Sequence, residues 1–340
     1  VARWESIYIA ATAIDLPPVV TVPDAVADGR YPAKLADRTM QRSVAVAPPD
    51  VPPGAYAVRA ARSALAGSGY DFDDVGLFVH TSVLDPSPRM SNPASWLERE
   101  LGHGGFRDLA QVMHGCDGVM SGMRWAAAHL TADHECPAAL LTAAESWQPT
   151  EVIDRWTADP DIPLGDGGAA LVVSRERGIA RLLATATYTQ PAMEGAHRGP
   201  RVFGHGVSLP VKLSERSRAF YATSDITRDD AWKMRSAGIT VVIDRVLAYG
   251  GVEREQVARI VLPFNGRHVL EEDYFPYLGG IAPARSSEDR GREVGHLGGA
   301  DPIAAFHVAL ESGELSSGDL AVVYSEGVGI VQSAALVEIV

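Results

Sequence analysis

Short apolar runs alternate with helix-period patterns along most of the chain. "VGLFVH" (75–80), "AALLTAAES" (138–146) and "AALVVSRE" (169–176) read as buried strands. So do "VARIVLPF" (257–264), "DLAVVYSE" (319–326) and "SAALVEIV" (333–340). Helices are expected between them. "AYAVRAARSALAGSG" (55–69) carries apolar residues at helical spacing and ends in glycine. In "DGVMSGMRWAAAHL" (117–130), Val119, Met120, Met123, Ala127 and Leu130 fall close to one helix face. "WKMRSAGITVVIDRVLAYGG" (232–251) is a long amphipathic stretch with a glycine stop, and "PIAAFHVALESG" (302–313) has Pro302 in its first turn. Strands alternating with helices predict an α/β fold around a largely buried sheet.

The order of these elements is approximately duplicated. Each half reads helix, strand, loop, helix, strand, glycine loop, strand. Equivalent pieces lie roughly 165 to 185 residues apart, far beyond a solenoid period. The expected division is 1–180 and 181–340, with a Gly- and Arg-rich irregular insertion at about 190–230 that could line an entrance. Cys116 and His296 then hold corresponding places, each just before a helix.

Composition narrows the classes. With 340 residues, 46% hydrophobic and 21% charged, the balance is that of a globular chain. Thirty basic against 43 acidic residues give a net charge of −13, which argues against a nucleic-acid partner. No apolar run is long enough to span a bilayer, and "VARWESIYIAATAIDLPP" lacks a signal-peptide core, so a cytoplasmic protein is expected. Two cysteines, Cys116 and Cys136, make no disulfide framework. "ADHEC" (132–136) has metal-friendly letters without a second ligand pair, so no metal is expected.

"HGCDG" places Cys116 between Gly115 and Gly118 where a strand passes into a helix. Free N–H groups and the macrodipole at a helix start favour thiolate over thiol, and the glycines allow a sharp elbow and close approach of a substrate. A small buried apolar residue is the competing reading of an isolated cysteine. "GHLGGADP" adds His296 on an uncrowded loop and Asp301 at an N-cap position. Together they offer a nucleophile, a base and an orienting carboxylate for covalent acyl transfer. In "SEGVGI" (325–330), the Gly329 N–H could join that of Cys116 as an oxyanion hole. "LGDGGAAL" (164–171) lacks the Lys-Ser/Thr of a phosphate loop and reads as a structural turn.

Taken together, "HGCDGVMSGMRWA", "TAAES", "LGDGGAALVVS", "GHLGGADPIAAFHVAL" and "YSEGVGIVQSAAL" resemble the thiolase superfamily, specifically its ketoacyl synthase III-like enzymes. The motifs fall in family order and cover most of residues 50–340. The resemblance implies a five-layer α-β-α-β-α fold, a homodimer, and acyl groups delivered on CoA or an acyl carrier protein, with no bound cofactor.

The departures are informative. Condensing members carry a His in a "PHQAN"-like segment and an Asn in a "GNTS"-like segment. Here "LPFNGRH" puts Phe264 in the first place and "GHLGGAD" puts His296 in the second. Decarboxylative condensation needs two donors for the enolate oxygen, and a Phe side chain donates nothing. The pattern is similar to the ketosynthase-like acyltransferases of polyketide tailoring, which move an acyl group such as malonyl onto a hydroxyl. Carried over, it gives Cys116 as nucleophile, His296 as base and Asp301 as orienter, with a hydroxylated small-molecule acceptor, a sugar of a polyketide glycoside. Phe264 and Asn265 are expected to line the substrate. Arg267, Arg285 and Lys212 are the cations weighed for a malonyl carboxylate. A condensing enzyme, a hydrolase and a non-catalytic partner subunit of a synthase are the alternatives.

Overall fold

The computed structural model describes residues 1–340 except 85, 86, 89, 103, 106, 149, 150, 201–208, 288 and 289. Its strands are β1 Ala2–Arg3, β2 Tyr8–Asp15, β3 Val19–Thr21, β4 Ser43–Ala45, β5 Val75–Thr81 and β6 Asp108–Val112. They continue with β7 Ala138–Glu145, β8 Gly167–Ser174, β9 Ala180–Thr189, β10 Val257–Val261, β11 Leu320–Gly327 and β12 Val331–Ile339. A mixed sheet runs β10-β11-β12-β9-β2-β8-β7-β5-β6, with β1 beside β9, and β3 pairs β4 separately. β7 and β6 flank β5 in parallel, as β10 does β11.

Each strand read from the hydrophobic pattern forms. The run at 257–264 stops at Val261, close before Pro263, which has no N–H for a ladder. The long helix starts at Arg228, before its first apolar residue, because Thr227 and Asp230 close a capping box. It ends where Gly251 turns left-handed at φ +68°.

Alternation sorts the side chains into layers. On β7, Ala139, Leu141 and Ala143 face an inner cluster while Ala138, Leu140 and Ala144 face an outer one. On β11, Ala321 and Val323 face the same inner cluster, and Val322 and Tyr324 face away. Helices Gly118–Ala132 and Asp301–Glu311 fill that shared inner layer. Helix Pro53–Ser68 covers one outer face and helix Arg228–Gly250 the other. The order is therefore α-β-α-β-α, the five-layer fold expected. Burying strands on both faces explains their near-continuous apolar sequences.

The insertion at 190–230 is more regular than expected. It contains helices Gly195–Arg198 and Leu213–Thr223, the latter without a buried residue, which is why it lacks hydrophobic periodicity. Residues 201–208 of that stretch lie outside the described residues. No helix among the described residues is long and apolar enough to cross a membrane.

The "LGDGG" turn has a reason for its aspartate. Asp166 is fully buried and takes both arms of Arg155, at 2.8 and 2.9 Å. It also accepts from the backbone N–H groups of Ala47 and Trp147. Arg155→Ala leaves that carboxylate buried and without its cation. The expected loss is about 3–5 kcal/mol of unfolding free energy, seen as a lower urea midpoint at unchanged slope.

Candidate active site

β6 ends at Val112, and Gly115–Asp117 make one tight turn before the helix Gly118–Ala132. Gly115 has φ +57°, and a Cβ there would lie 2.7 Å from the Val328 nitrogen. A Cβ on Gly118 would lie 1.9 Å from Thr81 Oγ1. The glycines thus let the elbow press against β5 and the β11–β12 turn. The closeness expected for a substrate is taken up by the protein's own Val328 and Thr81. Cys116 is half-buried, and its carbonyl accepts from Ser325 Oγ at 3.1 Å.

His296 reaches Cys116 from the other side of the inner layer. Its Nε2 lies 3.1 Å from Cys116 Sγ. Its Nδ1 lies 2.5 Å from Asp301 Oδ2, an ion-pair separation off the line of a hydrogen bond. The expected open loop is in fact closed: His296 is 7% exposed. Its N–H donates to Pro163 O and its carbonyl accepts from Gly165 N, a parallel bridge that ties it to the "LGDGG" segment. Asp301 is not an N-cap. Ala300 caps the helix and Asp301 is its first residue. The carboxylate instead accepts from Phe264 N at 2.8 Å and Leu297 N at 2.7 Å, which fixes it under the imidazole. Burial works against a charged imidazole, but Asp301 and then Cys116 outweigh it. The His296 proton is held well above the ordinary histidine range.

Glu145, in the "TAAES" motif, closes the floor. Its carboxyl accepts from Val83 N at 2.5 Å, Gly299 N at 3.3 Å and Leu84 N at 3.4 Å. Burial raises it from 4.5 to about 8 despite those three amides. A carboxyl that binds its proton more tightly when folded gives stability that is complete below pH 4.5 and lost as pH rises through about 8. His296 acts in the same direction above 6.5. Glu145→Gln is therefore expected to flatten the decline of urea midpoint with pH across that window.

The Gly329 amide, expected to face an acyl oxygen, donates to His197 Nδ1 at 3.2 Å. Sequence reasoning did not single out His197, which sits in the weakly patterned insertion with no motif around it. Burial lowers its proton affinity, so the ring is neutral with Nδ1 as acceptor and the proton on Nε2.

The residues proposed to line substrate have other engagements. Phe264 is 2% exposed and packs in the inner core. Asn265 is buried and donates to the Tyr274 hydroxyl at 3.3 Å. Arg267 pairs with Glu271 at 2.7 Å, and Lys212 pairs with Glu215 at 3.1 Å on the surface. Arg285 binds the carbonyls of Glu255 and Val257, at the start of β10 and away from the end that leads to Phe264.

Compared with solved structures, the chain matches ChlB3, named as an acyltransferase, with a TM-score of 0.90 and 31% identity over 98% of each chain. The chain belongs to the acyltransferase family of ChlB3. Its fold is shared with 3-oxoacyl-(acyl-carrier-protein) synthase III from Aquifex aeolicus, at TM-score 0.78 and 20% identity over 98% of this chain and 99% of that one. Cerulenin-bound OleA from Xanthomonas campestris matches at TM-score 0.78 and 20% identity, over 99% and 98%. No protein-family model and no curated protein sequence matches. As an acyltransferase relative, the chain is a thiolase-fold enzyme of acyl-transferring or condensing type.

Proposed function

We propose that the chain transfers an acyl group, malonyl foremost, from a CoA or carrier-protein thioester to a hydroxyl through a Cys116 acyl-enzyme. The observation that carries this reading is the line Cys116 Sγ, His296 Nε2, His296 Nδ1, Asp301 Oδ2, with separations of 3.1 and 2.5 Å at its two ends. That is a nucleophile, a base and an orienter at contact distance.

Cys116 sulfur attacks the thioester carbon, and the donor thiolate leaves, taking the Nε2 proton of His296. Acylation of Cys116 removes one of the two neighbours that raise the His296 proton affinity. The imidazole is left neutral and able to accept a proton. An incoming hydroxyl gives its proton to Nε2 as its oxygen attacks the acyl carbon, and Cys116 leaves as thiolate. Phe264 favours this course over condensation. It supplies a backbone N–H to Asp301 and no side-chain donor for an enolate oxygen. A polyketide sugar is the acceptor suggested by resemblance, and a homodimer is the assembly.

Intact-protein mass spectrometry after brief incubation with malonyl-CoA tests the reading. The expected result is a malonyl-sized adduct that is discharged by hydroxyl acceptors and only slowly by water. An acetyl-sized adduct would mean decarboxylation and a condensing enzyme. Discharge by water at the same rate would mean a hydrolase. No adduct from a panel of thioesters would leave the partner-subunit role.

A further inference from the structure

Directly after the nucleophile stands a carboxyl group that the steps above do not use. Asp117 has no exposed surface. Among the described residues, no Lys or Arg pairs with it. The charged side chain acting on it is Glu326, of like sign, whose own cation Arg235 is shared with Asp273.

Its surroundings are hydroxyls from three elements. From β12, Ser333 Oγ donates to Asp117 Oδ2 at 2.9 Å and meets Thr187 Oγ1 at 3.0 Å. Ser325 on β11 and Ser121 on the nucleophile's helix also face the carboxyl, while Oδ1 has no aligned donor. Ser121 Oγ is in turn 3.0 Å from His114 Nδ1. A Cβ on Gly327 would lie 2.8 Å from the Asp117 Cβ, so β11 presses directly on this residue.

Proton counting decides the state of the group. A serine hydroxyl has one proton to give, and Ser325 gives its proton to the Cys116 carbonyl at 3.1 Å. A carboxylate at Asp117 would compete for that proton. It would also be a buried charge without a cation. A carboxylic acid removes both conflicts. Ser325, which faces the carboxyl, can then take the acid proton on its oxygen while its own proton goes to the Cys116 carbonyl, and Oδ2 accepts from Ser333.

We propose that Asp117 is a neutral carboxylic acid that acts, through Ser325, as the positioning residue of the nucleophile elbow, holding the Cys116 peptide so that Sγ meets His296. Burial accordingly pushes its proton affinity well above the usual carboxylate range. The link to acyl transfer rests on the acyl-enzyme reading above; the protonation state does not.

Two measurements on the full chain test it. The first is an infrared difference spectrum, wild type minus Asp117→Asn, at neutral pH. A protonated-acid C=O stretch present only in the wild type and shifted in D2O is expected; carboxylate bands in its place would overturn the proposal. The second is the rate at which iodoacetamide alkylates Cys116, located by peptide mapping, which needs no acyl donor. Asp117→Asn keeps a neutral donor and acceptor and is expected to stay within about threefold of wild type. Ser325→Ala and Asp117→Ala are each expected to slow alkylation by about tenfold, and the pair by no more than either alone, because both act on one peptide. Asp117→Asn as slow as Asp117→Ala would show that the charge matters and sink the neutral-acid assignment. If Asp117→Ala does not fold, Ser325→Ala and the infrared band decide alone. An unaltered rate in Ser325→Ala would remove the positioning role.

Discussion

Asp301→Asn is expected to lower the overall acyl-transfer rate by about four orders of magnitude, the size of effect seen when the orienting carboxylate of such a set is removed. The fold is expected to survive, because the substitution is isosteric. The loss follows from what the two carboxylate oxygens do. One accepts from Leu297 N and the other from Phe264 N while lying beside His296 Nδ1. The introduced amide has one oxygen and one NH2. Wherever the NH2 points, it either meets a backbone N–H or donates to Nδ1. Donation to Nδ1 places the remaining ring proton on Nε2, the atom that must accept one. The pH profile carries a second signature. Asp301 is the main influence that raises the His296 proton affinity, and burial opposes it. Without the carboxylate, the residual activity is expected to reach its plateau at lower pH than in the wild type. Single-turnover discharge of the acyl-enzyme across pH measures both effects. Wild-type rates, or a profile moved to higher pH, would remove the base assignment.

Cys116→Ala is expected to abolish covalent loading and to lower turnover by on the order of 10^4-fold or more. Its interest lies in what it spares. The Cys116 residue is half-buried, and its backbone carbonyl, which accepts from Ser325 Oγ, is retained by alanine. Melting temperature is therefore expected to change little. The His296 proton affinity is expected to fall, because Cys116 is one of the groups that sustain it. NMR titration of the imidazole, in wild type and in Cys116→Ala, would show this. An adduct that persists in Cys116→Ala would place acylation elsewhere, with Cys136 the remaining thiol.

That Cys116, His296 and Asp301 come together was legible because they lie in glycine-marked loops, where chemistry-bearing residues stand out. The surrounding machinery was not. Asp117 reads as an ordinary polar neighbour until Ser325 and Ser333, more than 200 residues away, are seen to face it. The Asp166 carboxylate in "LGDGG" looked like turn chemistry, since nothing in the sequence announces Arg155 as its partner. The same holds for His197, whose bond to Gly329 spans 132 positions. Among the strands, β2 and β9 left little trace. "YIAATAID" and "ARLLATATYT" are rich in alanine, which is sparse in strands, and neither gives a clean two-residue alternation. Packing against neighbouring strands overrode that preference.

The bridge between His296 and residues 163–165 bears on how this scaffold can be recombined with its relatives. His296, the base proposed above, hangs on a turn whose own anchor is the Arg155–Asp166 pair, far upstream in sequence. A crossover placed between those segments would put the histidine of one parent on the support of another. Exchanges that move residues 155–166 and 294–301 as one block keep the base at its distance from the thiol, and chimeras that separate them are expected to fold with a misplaced imidazole.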